Sequence, residues 1–228
     1  MTNINTQYEP GLYLPGGHNT DAPLSPTSPT THYHLNHFML RTRDPTRTLH
    51  FYINLMGMRT VFTMNAGPFT IYYLGYPSTP DDRADLPAWA SRVSNIPTLT
   101  RTPGLLEFYH IHGTEKENDD STQSGNQGEG GFRVCTGNEP PNLGFGHLGF
   151  SVPDVREAVE RLRGQGVSVV KELGDFSRRS VPLSRWEAGR GWGVGELTEG
   201  FENIWGRIAC VGDPDGYWVE LVPQDMEL

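Results

Sequence analysis

Cysteine and long apolar runs are both scarce in this chain of 228 residues. It has only two cysteines, Cys135 and Cys210, which we interpret as structural because neither lies in a CxxC pair. No stretch approaches the 18 apolar residues that a membrane-spanning helix needs, and the first residues show neither the basic nor the apolar region of a signal peptide. We therefore expect a cytoplasmic protein with reduced cysteines and no membrane partner.

Positive charge is also in short supply, because 18 Lys and Arg face 27 Asp and Glu and give a net charge of −9. A chain this acidic is a poor match for nucleic acid or for an anionic membrane surface. No Ser-His-Asp order stands out, and no G-x-G-x-x-G loop follows a predicted strand. The expected partner is therefore a small-molecule substrate.

A histidine and a glutamate occur twice at almost the same spacing. Glu107 follows His37 by 70 positions, and Glu220 follows His147 by 73. This pattern indicates a duplicated unit that offers one imidazole and one carboxylate per copy. Two copies facing each other would supply four nitrogen and oxygen donors to one divalent metal, a donor set that suits Zn, Ni, Fe, Co or Mn.

The order β-α-β-β-β is predicted once in each copy, which places the chain in the α+β class. Each histidine stands seven residues before an aspartate, Asp44 or Asp154, that is predicted to cap a helix. The expected organisation is a flexible N-terminal arm over residues 1–31, a first module over 32–114, an acidic linker over 115–142, and a second module over 143–228.

Two segments interrupt the modules. Residues 77–103 hold five prolines and look like an excursion from the first module. Residues 174–205 form an insertion in the second, and they are too aromatic for an ordinary linker. The large aromatic side chains of this insertion either line a substrate pocket or attach the insertion to the surface. These side chains are Trp186, Trp192, Phe201 and Trp205.

Both glutamates are predicted in the middle of strands with apolar neighbours. Strand alternation puts Tyr109 and Ile111 on the face of Glu107, and Trp218 on the face of Glu220. Burying an unpaired carboxylate is costly, and metal coordination offsets that cost.

Arg41 lies four residues beyond His37, so both side chains are expected on one side of the strand. Its cation would hold an anionic group of the substrate, or form a surface ion pair with Asp44. The remaining strand-like histidines lack partners in the repeat, and we interpret them as surface or hydrogen-bonding residues: His32, His34, His110 and His112.

Four stretches together resemble glyoxalase I (lactoylglutathione lyase) of the vicinal oxygen chelate superfamily, and they lie in the core of both modules. They are HFMLRTRDPTRTLHFYINLMGM (37–58), LLEFYHIHGTE (105–115), GFGHLGFSVPDV (144–155) and DPDGYWVEL (213–221). The resemblance implies paired βαβββ modules that form an open half-barrel metal site, and a homodimer with sites assembled between modules of two chains. It implies one divalent metal per site, zinc first and Ni, Co, Mn or Fe as alternatives, held by His37, Glu107, His147 and Glu220.

The same resemblance implies a metal-dependent lyase or isomerase. The family substrate is the hemithioacetal of methylglyoxal and glutathione, and the product is S-lactoylglutathione. The metal polarises the substrate oxygens and stabilises an enediolate. Glu220 is the expected base that moves a proton between adjacent carbons, and Glu107 is the partner carboxylate.

The expected substrate-binding residues depart from the family pattern. Arg41 matches the arginine that holds the glutamyl carboxylate of glutathione, whereas Ile111 replaces an asparagine and Leu143 an arginine. Trp218, beside Glu220, completes the set. Each charged hydrogen bond that is lost weakens binding by about 1.5–3 kcal/mol. A diverged, glutathione-independent isomerase or lyase acting on a larger apolar ketone or enol is therefore an alternative. A non-catalytic binding protein and an Fe(II) dioxygenase rank behind both.

Overall fold

The computed structural model describes residues 10–11, 23, 25–116, 133–140, 142–181 and 183–226. These residues form two compact units, one of Ser25–Val134 and one of the residues from Cys135 onward together with those before Ser25. Most of the predicted arm and the middle of the predicted acidic linker lie outside the described residues, so the predicted module boundaries stay predictions. No helix in the described part is long and apolar enough to cross a membrane.

The first unit is built on one four-stranded sheet. Its elements are β1 (His37–Arg41), α1 (Pro45–Leu49) with a π-helical continuation (His50–Leu55), β2 (Arg59–Asn65), β3 (Phe69–Gly75), α2 (Pro80–Ala84), α3 (Leu86–Val93), α4 (Ile96–Leu99), β4 (Leu105–Ile111) and a 3-10 turn (Thr114–Lys116). The strand order is β1-β4-β3-β2. Strand β1 runs parallel to β4, and the other neighbours are antiparallel.

The second unit repeats this topology. Its elements are β5 (Asn138–Glu139), β6 (Asn142–Leu143), β7 (His147–Val152), α5 (Val155–Gly164), β8 (Val169–Lys171), α6 (Arg185–Ala188), α7 (Glu199–Trp205), β9 (Ala209–Gly212) and β10 (Trp218–Pro223). The four longer strands lie in the order β7-β10-β9-β8, with β7 parallel to β10. The predicted duplication of a β-α-β-β-β unit and the α+β class are confirmed.

The predicted helix starts are also confirmed. The Asp44 side chain accepts hydrogen bonds from the backbone N–H groups of Thr46 and Arg47, and Asp154 accepts one from the N–H of Glu157. Both aspartates satisfy donors that would otherwise be unpaired in the first turn of a helix. In the second copy this fixes α5 directly after β7, the strand that His147 opens.

One face of each sheet is the apolar core. In the first unit the rings of Tyr52 and Phe108 pack 4.7 Å apart. In the second unit α5 buries Val159 and Leu162 on the side where β10 buries Val219. Because strand residues alternate between faces, Glu107 and Glu220 fall on the opposite face of each sheet.

The segment 77–103 consists largely of three short helices. Pro80, Pro87 and Pro97 each stand in the first turn of one of these helices, where the missing N–H is harmless and the fixed φ favours helix. On α3, Trp89 is buried against Leu105, which lies on the same face of β4 as Glu107. The excursion thus covers part of the face that carries the first glutamate.

The aromatic insertion of the second unit contains α6 and α7. Trp205 is buried and packs with Ile208 and Cys210 on the face of the sheet that carries Glu220. Trp186 and Trp192 are 45% and 55% exposed and pack edge to face on each other. Trp205 therefore attaches the insertion to the sheet, and the expected lining of a substrate pocket by these aromatics stays a prediction.

Candidate metal centre

His37 and Glu107 form a close pair in the first unit. His37 opens β1 opposite Leu105, two residues before Glu107 on the neighbouring strand, so both side chains share one face. His37 Nε2 lies 3.2 Å from Glu107 Oε2. The imidazole is 36% exposed and the carboxylate 13%, so the pair stands at the edge of a half-buried surface.

His147 and Glu220 repeat this arrangement in the second unit. His147 opens β7 opposite Trp218, again two residues before the glutamate. Its Nε2 lies 3.4 Å from Glu220 Oε2, and the exposures are 39% and 14%. Two segments with little sequence in common thus place the same two donors at the same register.

The donor spacing within each pair fits a metal ion. Two ligands at about 2.0–2.1 Å from one tetrahedral ion are separated by about 3.3 Å. The distances of 3.2 and 3.4 Å match that separation. Within the described ranges, however, no three His, Cys, Asp or Glu side chains group closely enough to hold an ion. Each pair by itself offers two possible donors.

Tyr73 is a functional candidate that the sequence did not reveal. It lies on β3 directly opposite Glu107, and its hydroxyl donates a 2.8 Å hydrogen bond to Glu107 Oε2. The Tyr73 hydroxyl oxygen also lies 3.2 Å from His37 Nε2. Phe62 stacks on the Tyr73 ring at 4.6 Å. Burial, and then the bond to the Glu107 carboxylate, raise the pKa of Tyr73 well above its usual range, so the hydroxyl stays a donor.

Cys210 occupies the corresponding position beside Glu220. Burial, and secondarily the charge of Glu220, raise the pKa of its thiol to about 12. On the next strand, β8, Lys171 lies opposite Cys210. Lys171 is buried and donates to the carbonyl oxygens of Trp205 and Ile208, both at 2.5 Å. Burial lowers the pKa of Lys171. The second carboxylate thus has a thiol where the first has a phenol.

The predicted substrate-binding residues are distributed over both units. Arg41 lies across from Tyr109 on the Glu107 face, with its guanidinium 5.2 Å from the ring centre. Ile111 ends β4. Leu143 is 42% exposed in the short β5–β6 hairpin, and Trp218 is half-buried between His147 and Gly212. Their roles toward a substrate stay predictions.

The other predicted hydrogen-bonding residues have protein partners. His110 is buried, with Nδ1 3.3 Å from the Thr42 carbonyl and Nε2 3.3 Å from a Glu115 carboxylate oxygen. His112 Nε2 lies 2.7 Å from the Thr70 hydroxyl. Both imidazoles project from the face of β4 opposite to the face that carries Glu107, so neither adjoins the His37–Glu107 pair.

Comparison with known proteins places the chain in a family. A model of the glyoxalase/bleomycin resistance protein/dioxygenase superfamily matches residues 34–178. Lactoylglutathione lyase of Pseudomonas aeruginosa is 32% identical over 227 residues, which cover 96% of this chain and 93% of that protein. The Pseudomonas putida lactoylglutathione lyase is 31% identical over 85% of this chain and 86% of its own length. Glyoxalase I of Saccharomyces cerevisiae is 30% identical over 85% of this chain but 45% of its own length.

The chain therefore belongs to the glyoxalase/bleomycin resistance protein/dioxygenase superfamily, to which its two β-α-β-β-β units correspond. Within that superfamily it belongs with the lactoylglutathione lyases, also called glyoxalase I, and it is an enzyme of that type. The resemblance seen in the sequence is thereby confirmed. The chain spans less than half of the yeast relative and nearly all of the Pseudomonas aeruginosa relative.

Proposed function

We propose that His37, Glu107, His147 and Glu220 together bind one divalent metal ion, with zinc as the first expectation. Catalytic sites of this kind use at least three protein ligands, and each pair supplies two. The two pairs therefore have to combine, either within one chain or between two chains of a homodimer. Their matched register and donor spacing are the observation that carries the proposal.

We infer that the reaction is the isomerisation of the methylglyoxal–glutathione hemithioacetal to S-lactoylglutathione. Support comes from the lactoylglutathione lyases to which the chain is similar. A bound divalent cation supplies a Lewis acid for the oxygens of the substrate. Glu220 removes the proton from the carbon that carries sulfur and returns it to the adjacent carbon.

The surroundings of the two carboxylates favour Glu220 as the base. The Tyr73 hydroxyl donates to Glu107, and a hydrogen bond to a carboxylate stabilises its charged form and weakens it as a base. Among the described residues no hydroxyl group donates to Glu220, and its neighbour in register is the Cys210 thiol. Glu107 is accordingly the fixed ligand, and Glu220 is the carboxylate that exchanges protons.

A second candidate is a glutathione-independent isomerisation of a larger apolar ketone or enol. The apolar side chains of Ile111 and Leu143 favour it, because they stand where the family has polar anchors. The buried cluster of Trp205 with Trp218 on the Glu220 face also favours an apolar substrate. Glutathione dependence separates the two candidates directly.

The test is turnover of metal-stripped protein reconstituted in turn with Zn, Ni, Co and Mn. Formation of S-lactoylglutathione from methylglyoxal and glutathione is followed, with Glu220→Gln as the variant that lacks the base. We expect turnover by at least one metal form of the wild type, reduced about 100-fold to 10,000-fold in Glu220→Gln.

The two candidate functions give different results. Absence of turnover in every metal form, with metal bound in full amount, would reject the glutathione substrate and leave the apolar ketone or enol. Turnover that Glu220→Gln retains would remove Glu220 from the role of base. Failure of the protein to bind any of the four metals would reject the metal centre itself.

A further inference from the structure

We propose that Asn36 is a positioning residue that orients His37 for metal binding through Nε2. The proposal rests on the proposed metal centre, and it adds a residue outside the four ligands. Asn36 is half-buried and directly precedes β1. Its Oδ1 lies 2.7 Å from Nδ1 of the His37 ring, on the opposite side from the nitrogen that faces Glu107.

The orientation of the Asn36 amide follows from its other contacts. Nδ2 lies 2.8 Å from the Leu99 carbonyl oxygen and 2.6 Å from the Thr102 carbonyl oxygen. Both of these partners only accept hydrogen bonds, so the group between them has to be the NH2. The atom that faces His37 is therefore the amide oxygen, which only accepts.

This orientation decides which nitrogen of the His37 ring carries hydrogen. Because Asn36 Oδ1 accepts, Nδ1 has to donate, and in the neutral ring Nε2 then keeps its lone pair. Nε2 faces Glu107 Oε2 at 3.2 Å, so in the neutral ring two acceptor atoms face each other, and a cation between them would satisfy both. Partners that hold the distal nitrogen of a ligand histidine in this way fix its tautomer and ring angle. Asn36 thus prepares His37 as a ligand before an ion arrives.

The two carbonyls that hold Asn36 belong to the helical excursion. Leu99 ends α4, and Thr102 lies in the short connection to β4. The backbone carbonyl of Asn36 also accepts from the N–H of Leu105 at 3.2 Å, at the start of the strand that carries Glu107. The excursion therefore reaches the first histidine through a single side chain, which gives segment 77–103 a role in positioning the site.

The second copy is built differently at this position. The residue before His147 is Gly146, which has no side chain to accept from the imidazole. Nearby, Asn138 donates to the Gly146 carbonyl at 2.6 Å and does not touch the ring. In the described part of the second unit, His147 has only Glu220 as a side-chain partner. Among the described residues, Asn36 and Tyr73 thus support the first pair from both ends, and the second pair has no such side-chain support.

The experiment compares Asn36→Ala, Asn36→Asp and the control Asn138→Ala in the full chain. The tautomer of His37 is read from the ring nitrogen-15 shifts of the metal-free protein, at a pH where the ring is neutral, and zinc affinity is measured by competition with a chelator. We expect wild-type His37 to carry hydrogen on Nδ1. Asn36→Ala should mix the tautomers and weaken zinc binding about 10-fold to 100-fold.

The other variants separate the amide oxygen from the amide NH2. Asn36→Asp keeps an acceptor for Nδ1 but places an oxygen against the Leu99 and Thr102 carbonyls, so it should retain the wild-type tautomer and lose part of the affinity. Asn138→Ala should leave both readouts unchanged. A wild-type ring with hydrogen on Nε2, or an Asn36→Ala variant with the wild-type tautomer and affinity, would overturn the proposal. If the wild type binds no zinc, the proposed function fails, whereas the tautomer measurement still judges Asn36.

Discussion

The Tyr73 hydroxyl donates a 2.8 Å hydrogen bond to Glu107 from the directly opposite position on the neighbouring strand. In the second unit the position opposite Glu220 is Cys210, a buried thiol. The two copies therefore agree in the histidine and the glutamate and differ in the group beside the carboxylate. This difference is the reason why the proposed function gives a holding role to Glu107 and proton transfer to Glu220.

Replacing Tyr73 with Phe should weaken metal binding without unfolding the protein. The variant removes the hydroxyl that holds Glu107 and keeps the ring that stacks on Phe62. Zinc affinity should fall about 10-fold to 100-fold, as is usual when a partner of a metal ligand is removed. Competition with a chelator measures the affinity. Tyr109→Phe is the matched control, since it removes a hydroxyl from the same face of β4. Equal affinities for both variants would contradict the role given to Tyr73.

Restoring a family-like cation at Leu143 should improve use of the glutathione adduct. Leu143→Arg places a guanidinium where the resemblance implies a contact with glutathione. One charged hydrogen bond contributes about 1.5–3 kcal/mol, so KM for the hemithioacetal should fall by about 10-fold or more. Val170→Arg is the control, because this variant adds the same charge elsewhere in the unit, at a position on β8 that is 41% exposed. An unchanged KM would argue that the substrate does not carry glutathione past this residue.

The stability of the metal-free protein should fall above pH 9 because of Cys210. Its pKa is about 12 in the folded protein, against an ordinary value of 9.0, so between these values the folded state holds a proton that the unfolded chain has lost. Stability from such a group is complete below pH 9 and decreases as the pH rises, by up to about 1.4 kcal/mol per pH unit.

Cys210→Ala isolates this effect. The variant lacks the thiol, so its free energy of unfolding should decline less steeply than that of the wild type between pH 9 and pH 11. Urea unfolding at a series of pH values measures both curves. Parallel curves would show that the thiol ionises equally in the folded and unfolded states, and they would contradict its burial beneath Trp205.

Trp205 should stabilise the second unit far more than Trp192. Trp205 is 6% exposed, packs with Ile208 and Cys210, and donates from Nε1 to the Ser180 hydroxyl at 2.8 Å. Trp205→Ala should cost about 3–5 kcal/mol of unfolding free energy. Trp192→Ala removes an exposed aromatic contact and should cost about 1 kcal/mol. Chemical unfolding measures both values, and similar losses would mean that the insertion is not attached through Trp205.

The features predicted correctly from the sequence are local ones. An aspartate before the first helical turn satisfies N–H groups two or three residues away, so the starts at Asp44 and Asp154 can be read from a few letters. Alternation within one strand likewise groups Glu107 with Tyr109 and Ile111, and Glu220 with Trp218, on one face. The pairing of each glutamate with a distant histidine could also be predicted, because the same two residues recur at similar spacing in both copies.

The features that were missed depend on register between distant segments. Tyr73 meets Glu107 only because β3 and β4 pair in one particular register across the helices of segment 77–103. Asn36 is 63 residues from Leu99, its first amide partner. The prolines of that segment look like breaks in a sequence, and their positions in first helical turns become clear only in the structure. No pattern within one strand or helix contains this information.

The central claim is that both histidine–glutamate pairs share one metal ion. The most direct measurement is the zinc content per chain of the wild type, His37→Ala and His147→Ala after equilibration with the same limiting concentration of free zinc. The account predicts one ion per chain for the wild type and clearly less for either variant, because the three ligands that remain hold zinc more weakly than four. Two ions per wild-type chain, or a full ion retained by both variants, would show that the pairs act separately and would contradict the shared centre.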